Sequence, residues 1–150
     1  MNLKDKINED LKSAMKSRDK LRLETIRSIR ALILEYEKSG KGKELIPDEE
    51  IKMLNGAVKK RRDSIEQFTL AGRNELAQKE EAELKILMSY MPKQLTDEEV
   101  YFEIKRIAEE IEAKRKEDFP KLMSKAAQLL RGKADGKIIK TTVDNYLKNN

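Results

Sequence analysis

Apolar residues recur every three or four positions along almost the whole chain. Leu3, Ile7 and Leu11 set this spacing near the N-terminus, and Val143 and Leu147 repeat it near the end. This spacing places apolar side chains on one face of an α-helix, whereas a half-buried strand needs strict alternation, which is absent here. The pattern therefore predicts an all-α protein in which each helix buries one face.

Helix-starting and helix-ending residues divide the pattern into seven predicted helices. These cover about residues 3–17, 19–38, 47–71, 74–90, 96–116, 118–131 and 136–148. Pro47 followed by three acids, and Thr96 followed by Glu99, are typical helix starts. Gly72 is expected to end the third helix, and Asn74 is expected to cap the fourth.

The segment PKQLT, residues 92–96, separates four helices from three shorter ones. We therefore predict a four-helix N-terminal subdomain at 1–92, a linker at 93–95 and a small three-helix C-terminal subdomain at 96–150. The stretch SGKGKELIP, residues 39–47, is predicted to be an exposed, mobile loop because it combines glycines, lysines and a proline.

The sequence contains no cysteine and no histidine. Disulfides, thiol chemistry, imidazole acid–base catalysis and the usual zinc sites are therefore excluded, and neither a metal nor another cofactor is expected. No run reaches the roughly 20 apolar residues that a membrane span needs. The N-terminal stretch MNLKDKINED has no apolar core of the signal-peptide kind. These features predict a soluble, cytoplasmic protein without membrane contact.

Charge is distributed unevenly, although the net charge is only +5. Residues 12–30 carry seven cations and two anions, residues 97–118 carry nine anions and five cations, and residues 119–140 carry six cations and one anion. A clustered basic surface attracts polyanions, but solvated helix faces are often this charged as well. Charge alone leaves both interpretations open. The cationic run at 59–62 is expected to be surface charge apart from Arg61, and the alternative is that it helps to attract RNA.

Arg61 interrupts an apolar row on the third helix, since Leu54, Arg61 and Phe68 are spaced seven apart. Arg61 lies eleven residues before Gly72, and Glu83 lies eleven residues after it. An antiparallel hairpin would bring Arg61 and Glu83 to one level. The pattern favours a structural ion pair that fixes helix register, so Glu83→Gln is expected to lower the melting temperature without abolishing partner binding. The alternative is a carboxylate–arginine active site.

The segment LLRGKADGKIIK, residues 129–140, contains two glycines that enclose three residues. A P-loop needs four residues between its glycines, followed by Lys and then Ser or Thr, so a nucleoside triphosphate site is excluded. The spacing favours a helix connection in which Gly132 ends the sixth helix and Asp135 caps the seventh. The alternative is a contact with one or two backbone phosphates of a nucleic acid. The cations around this connection are Arg131, Lys133, Lys137 and Lys140.

Three stretches of the chain resemble the YqeY-like family of small bacterial proteins. They are AMKSRDKLRLETIRSIRALI at 14–33, VKKRRDSIEQFTLAGRNELAQKEEAELKILMSYMPKQLTDEE at 58–99 and GKADGKIIK at 132–140. The resemblance covers nearly the whole chain and has no large gap. This family is similar to the C-terminal tail of the B subunit of glutamine-dependent tRNA amidotransferase, which converts misacylated glutamyl- or aspartyl-tRNA to the amide form.

The resemblance implies an all-α fold with a larger N-terminal part and a small three-helix C-terminal part. In the amidotransferase the tail helps to hold the tRNA body, whereas glutamine hydrolysis and acyl activation belong to domains that these 150 residues do not contain. The matching motif at 132–136 is implied to lie on the tRNA side, although Gly132 and Asp135 are expected to act mainly in folding. The residues expected to bind nucleic acid are Arg131, Gly132, Lys133, Lys137 and Lys140.

These observations predict a noncatalytic tRNA-binding module that acts with an amidotransferase or another aminoacyl-tRNA-handling protein. The alternatives are a helical adaptor that binds protein, or an accessory of carbon–nitrogen ligase activity, with glutamine as amido-N-donor, that lacks its own active site. Catalysis without histidine or cysteine would need Ser–Lys or carboxylate chemistry. Ser124 beside Lys125, and Ser64 near Lys60, have no third orienting group in the sequence, so no catalytic residue is predicted.

Overall fold

The computed structural model of the protein describes residues 1–40 and 45–149. Seven α-helices and one short 3-10 turn lie in these two ranges, which contain no strand, and the predicted all-α class is confirmed. The helices are α1 (Leu3–Ser17), α2 (Lys20–Lys38), α3 (Pro47–Leu70), α4 (Asn74–Met88), α5 (Asp97–Ile111), α6 (Phe119–Leu129) and α7 (Gly136–Lys148). The predicted mobile loop at 39–47 includes residues 41–44, which lie outside the described residues. The chain divides into two units, Met1–Met91 and Pro92–Asn150.

Polar side chains cap the N-termini of the first two helices of the first unit. Asn2 Oδ1 accepts the N–H of Asp5 at 2.8 Å, and Asp19 Oδ1 accepts the N–H of Arg22 at 3.1 Å. Each cap satisfies one of the backbone donors that a helix leaves unpaired at its start. Between the two helices Arg18 turns the chain with a left-handed backbone, φ 58.

The hairpin of α3 and α4 turns at Gly72, as predicted. Gly72 has φ 72, and the N–H of Arg73 donates to the carbonyl of Phe68 at 2.8 Å, which closes the end of α3. The expected capping role of Asn74 is wrong. Asn74 is already the first residue of α4, and Arg73 precedes it without any side-chain cap.

The core of the first unit is formed by apolar residues from all four helices. The buried members are Leu3, Ile7, Ala14, Ile26, Ile29, Ile33, Leu54, Ala57, Val58 and Leu87. Their helical spacing matches the apolar pattern of the sequence, so burial of one face per helix holds this unit together. Tyr90 adds a polar anchor beside this core, because its hydroxyl donates to Asp10 Oδ2 at 2.6 Å.

In the second unit, α5 begins with the predicted capping box. The N–H of Glu99 donates to Thr96 Oγ1 at 3.2 Å, and the N–H of Thr96 donates to Glu99 Oε1 at 3.0 Å. The two hydrogen bonds satisfy a pair of otherwise unpaired backbone donors. The hydrogen bond from the backbone N–H of Thr96, followed by the contact with the Thr96 side chain, lowers the pKa of the Glu99 carboxyl.

The structure ends α5 at Ile111, about five residues before the predicted end. Glu112 takes a left-handed backbone, φ 57, and the N–H of Ala113 returns to the carbonyl of Ala108 at 2.9 Å. Asp118 then accepts the N–H groups of Lys114 and Arg115, each at 2.9 Å. A residue other than glycine makes this turn, which is why the sequence shows no stop signal there.

The three helices of the second unit surround a separate apolar core. Its buried residues are Val100, Ile104, Ile107, Ala108, Ala113, Leu122, Ala126, Leu130, Ala134, Ile139, Val143, Tyr146 and Leu147. Leu130 and Ala134 belong to the connection between α6 and α7, so the packing of their side chains in this core holds the connection in place. The position of that connection therefore depends on packing as well as on backbone hydrogen bonds.

Candidate nucleic-acid interface

The connection between α6 and α7 is a tight turn with defined backbone bonds. The N–H of Leu130 donates to the carbonyl of Ala126 at 2.8 Å, and the N–H of Lys133 donates to the carbonyl of Leu130 at 2.9 Å. Gly132 has φ 77, which is the left-handed conformation predicted for it. A side chain at this position would be strained by the backbone, so glycine allows the chain to turn here.

Asp135 caps α7, as predicted, because its Oδ1 accepts the N–H of Lys137 at 3.2 Å. The carboxylate therefore already occupies a backbone donor at the start of this helix. A phosphate approaching the same helix end would meet a negative charge. The chemistry of this site consequently favours cationic side chains, rather than the helix terminus, as the groups that would contact an anion.

The segment before α5 holds the same turn from the other side. Gln94 Nε2 donates to the carbonyl of Gly132 at 2.7 Å and to the carbonyl of Pro92 at 2.8 Å. The N–H of Leu95 donates to the carbonyl of Lys133 at 2.8 Å. Sequence reasoning treated residues 93–95 only as a linker and missed these bonds. No local signal in PKQLT announces them, because the partners lie almost forty residues away in the chain.

The structure places the five predicted nucleic-acid-binding residues on or beside this turn. Arg131, Lys133, Lys137 and Lys140 are exposed, and we call these four residues the loop cations. Gly132 is buried, and its carbonyl is already bonded to Gln94. Gly132 therefore shapes the turn, and its contact with a nucleic acid stays a prediction.

Arg61 and Glu83 face each other in the α3–α4 hairpin of the first unit. Arg61 Nε lies 3.5 Å from Glu83 Oε2, and the two side chains are 16% and 14% exposed. Arg61 Nη2 also donates to Ser28 Oγ at 3.3 Å. No described residue accepts a hydrogen bond from the buried Nε, so its contact with Glu83 is electrostatic attraction without hydrogen-bond geometry.

Electrostatics around Glu83 are unfavourable to its charge. Burial raises the pKa of the Glu83 carboxyl above its ordinary value, the neighbouring Glu80 adds to the rise, and Arg61 opposes it. A groove of about 550 Å³ lies beside this pair, with Gly56, Lys60 and Ser64 in its lining. The Ser64 hydroxyl donates to the carbonyl of Lys60 at 3.1 Å, so it is bonded to backbone and not to a catalytic base.

The fold and the site together define the class of protein: it is all-α, with a cationic turn between its last two helices. The model of the Yqey-like protein family matches residues 4–147, and the chain therefore belongs to the YqeY-like family. This family resembles the C-terminal domain of the amidotransferase B subunit.

Curated relatives share part of this sequence. The mitochondrial protein named altered inheritance of mitochondria protein 41 is 34% identical over 85 residues in Lachancea thermotolerans, covering 57% of this chain and 46% of that protein. The protein of the same name in Pyrenophora tritici-repentis is 36% identical over 86 residues, with the same two coverages of 57% and 46%. An uncharacterised protein of Schizosaccharomyces pombe is 31% identical over 93 residues, covering 61% of this chain and 73% of that protein. The chain thus spans about half the length of the first two relatives.

The names of these relatives overturn the cytoplasmic location predicted from the sequence, because the first two are mitochondrial proteins. The prediction depended on the lack of cysteine and of an apolar N-terminal segment. Neither feature separates the cytoplasm from other reducing compartments, which explains the error. Among the described residues, no helix has the length and apolar character needed to cross a membrane.

Proposed function

We propose that this protein is a noncatalytic tRNA-binding module that works with an amidotransferase or another aminoacyl-tRNA-handling protein. In this proposal the two units correspond to functional subdomains at 1–92 and 96–150, and the second carries the RNA contact. The loop cations contact phosphates of the tRNA backbone. Gly132, Asp135 and Gln94 hold the turn in the shape that presents them.

The observation that carries the proposal is a set of exposed cations on a turn of fixed shape. The backbone carbonyl and N–H of Lys133 are both hydrogen-bonded, at 2.8 Å and 2.9 Å, so its side chain extends from a fixed backbone. A side chain on a fixed backbone loses less conformational entropy on binding than one on a mobile loop. Cations on rigid backbone are therefore well suited to bind phosphates, which set the position of a nucleic acid without reading its sequence.

Family membership supports the same proposal. The YqeY-like family is similar to the tail of an amidotransferase B subunit, whose substrate is a tRNA. The reaction of that enzyme needs domains beyond this one. A module that binds tRNA and leaves the chemistry to a partner accounts for both the family and the absence of histidine and cysteine from the sequence.

A tRNA-binding titration at several salt concentrations tests the proposal. The wild-type protein should bind tRNA with an affinity that falls steeply with salt, because phosphate contacts release counterions. Lys133→Ala combined with Lys137→Ala should weaken binding and flatten the plot of log K against log salt by about one to two.

A variant of equal charge change provides the control. Lys105→Ala combined with Arg106→Ala also removes two cations from the second unit, but both lie on α5, where Arg106 is paired with Glu103 at 2.7 Å. This control should bind tRNA almost like the wild type. The proposal is wrong if the wild type shows no tRNA binding at low salt, or if both double variants weaken binding equally.

One observation favours a protein-binding adaptor as the second candidate. Tyr101 and Phe102 on α5 are 42% and 62% exposed, and their rings lie 5.9 Å apart in an edge-to-face arrangement. Adjacent exposed aromatic residues are common at protein interfaces. An association with the amidotransferase that survives nuclease treatment and is lost in Phe102→Ala would support the adaptor, whereas loss on nuclease treatment would favour tRNA.

A further inference from the structure

A second group of cations lies in the first unit, on α1, on the first half of α2 and on the turn between them. Its members, which we call the hairpin cluster, are Lys12, Lys16, Arg18, Lys20, Arg22, Arg27 and Arg30. Arg22 is half-buried and the other six are exposed. Three of them, Lys16, Arg18 and Lys20, fall within five consecutive residues.

Ion pairing does not account for the hairpin cluster. In the described part of the chain, none of its seven side chains has a carboxylate within ion-pair distance. Asp19 lies among them, but its carboxylate accepts the N–H of Arg22 as the cap of α2. At the end of the hairpin away from the turn, Lys4 Nζ lies 2.8 Å from Glu37 Oε1. Beside the turn, Lys16, Arg18 and Lys20 have no such carboxylate partner among the described residues.

Local folding does not favour the cations at the start of α2 either. The first turn of α2 contains Lys20 and Arg22 and no acid, although the start of a helix carries partial positive charge and favours acids. Arg18 has φ 58, a conformation for which glycine or asparagine is the usual residue. Lys16, in the last turn of α1, and Arg18, at its C-cap, carry charges that suit the end of that helix. Lys20 and Arg22, whose charges do not suit the start of α2, are better explained by an anionic partner.

We propose that the hairpin cluster is a second nucleic-acid-binding surface, which contacts phosphates of the same tRNA that the loop cations bind. This inference rests on the proposed function and adds a contact from the first unit. Two moderately basic surfaces in one chain bind a polyanion together more tightly than either does alone, since the second contact forms without a separate association step. Lys16, Arg18 and Lys20, the exposed members beside the turn, supply the main phosphate contacts of the hairpin cluster.

A nucleic acid fits this surface better than an anionic membrane does. Interfacial membrane binding by a helix requires an apolar face beside the cations. Across residues 12–30, Met15 is the one large apolar side chain that is exposed, at 55%. Charge without an apolar face is typical of surfaces that bind a phosphate backbone.

Three variants of the full-length chain test the proposal with a tRNA transcript. The first, Lys16→Gln with Arg18→Gln and Lys20→Gln, removes three cluster charges. The second, Lys16→Arg with Arg18→Lys and Lys20→Arg, keeps the charge and changes the side chains. The third, Lys4→Gln with Lys52→Gln and Arg106→Gln, removes three cations that have carboxylate partners at 2.8, 3.5 and 2.7 Å.

The neutralised cluster should bind tRNA about tenfold or more weakly near 0.1 M salt, with a log K against log salt slope reduced by about two to three. The charge-keeping variant and the paired-cation variant should both bind like the wild type. Thermal melts of all three confirm that they are folded. Vesicles of phosphatidylcholine and phosphatidylserine, tested in parallel, should show no binding that depends on the cluster.

The outcomes separate this inference from the proposed function. If the wild type and the Lys133→Ala, Lys137→Ala variant behave as proposed but the neutralised cluster binds like the paired-cation variant, the second surface is refuted and the first stands. Binding to vesicles but not to tRNA through the cluster would overturn the inference in favour of a membrane. A wild type that binds no tRNA would overturn both proposals.

Discussion

Replacing Arg61 by Met should destabilise the first unit much more than replacing Glu83 by Gln. Loss of Arg61 leaves the Glu83 and Glu80 carboxyls together without the cation that opposes the rise in the Glu83 pKa, whereas loss of Glu83 leaves Arg61 in one groove with the carboxylate of Glu80. In Glu83→Gln, the amide oxygen still faces Arg61. The sequence predicts that Glu83→Gln lowers the melting temperature. The raised pKa of the Glu83 carboxyl instead predicts a nearly neutral effect on stability.

The magnitude follows from the geometry of the pair. Opposite charges 3.5 Å apart attract by about 5 kcal/mol at an effective dielectric constant near 20. Removing Arg61 also removes the cost of burying its charge, and both side chains keep some solvent contact. The net loss should therefore lie between the less than about 1 kcal/mol of an exposed pair and the ~3–5 kcal/mol of a buried one. We expect about 2 kcal/mol for Arg61→Met and less than about 0.5 kcal/mol for Glu83→Gln.

The Glu83 pKa also predicts how the difference depends on pH. The native pKa lies above the ordinary value of 4.5, so between these two values the folded protein binds more protons than the unfolded protein. The contribution of Glu83 to stability is therefore present at low pH and is lost as pH rises through this window. Glu83→Gln removes this loss, so its stability relative to the wild type should increase with pH.

Urea unfolding followed by far-UV circular dichroism, at about pH 5 and about pH 7, measures these free energies. The double variant completes a cycle that isolates the interaction between the two side chains. Equal destabilisation of Glu83→Gln and Arg61→Met at neutral pH would refute this prediction. A decrease in the stability of Glu83→Gln relative to the wild type as pH rises would refute it as well.

Three further substitutions give expected outcomes in the same unfolding assay. Thr96→Ala should cost about 1 kcal/mol by removing the capping box of α5, whereas Thr96→Ser should not, and equal losses would argue against the hydroxyl contact. Gly56→Ala should stabilise the protein by about 0.5–1 kcal/mol, because an added Cβ in the interior of α3 meets no atom within 4 Å; destabilisation would contradict this. Gln94→Ala should cost about 1–3 kcal/mol, because the carbonyl of buried Gly132 loses its donor, and should weaken tRNA binding without changing charge. Unchanged binding would show that the shape of the turn does not matter.

Local signals in the sequence predict much of the helical structure. The bounds of α1 and α7 are those predicted, because an apolar stripe and clear flanking residues coincide there. Thr96 and Asp135 cap their helices as predicted, since a cap depends only on residues within one turn. Interactions of this range are readable from a single sequence.

Prediction from the sequence fails where residues outside a segment determine the backbone conformation of that segment. Glu112 ends α5 without glycine, and the side chain of Asp118 fixes the backbone that follows. The bonds of Gln94 and Leu95 to the α6–α7 turn connect residues distant in the chain. The sequence finds the loop cations but not the segment that fixes their backbone, so it predicts the charge of the candidate site better than its rigidity.

The hydrogen bonds from the segment before α5 determine where the second unit can be cut. A fragment that starts at Thr96, as helix boundaries alone would suggest, lacks both Gln94 and the N–H of Leu95. The carbonyls of Gly132 and Lys133 would then lose their hydrogen-bond donors. The backbone of the turn that carries the loop cations would gain conformational freedom. A fragment that starts at Pro92 keeps all three bonds, so a comparison of the two fragments would separate the contribution of loop order from that of charge.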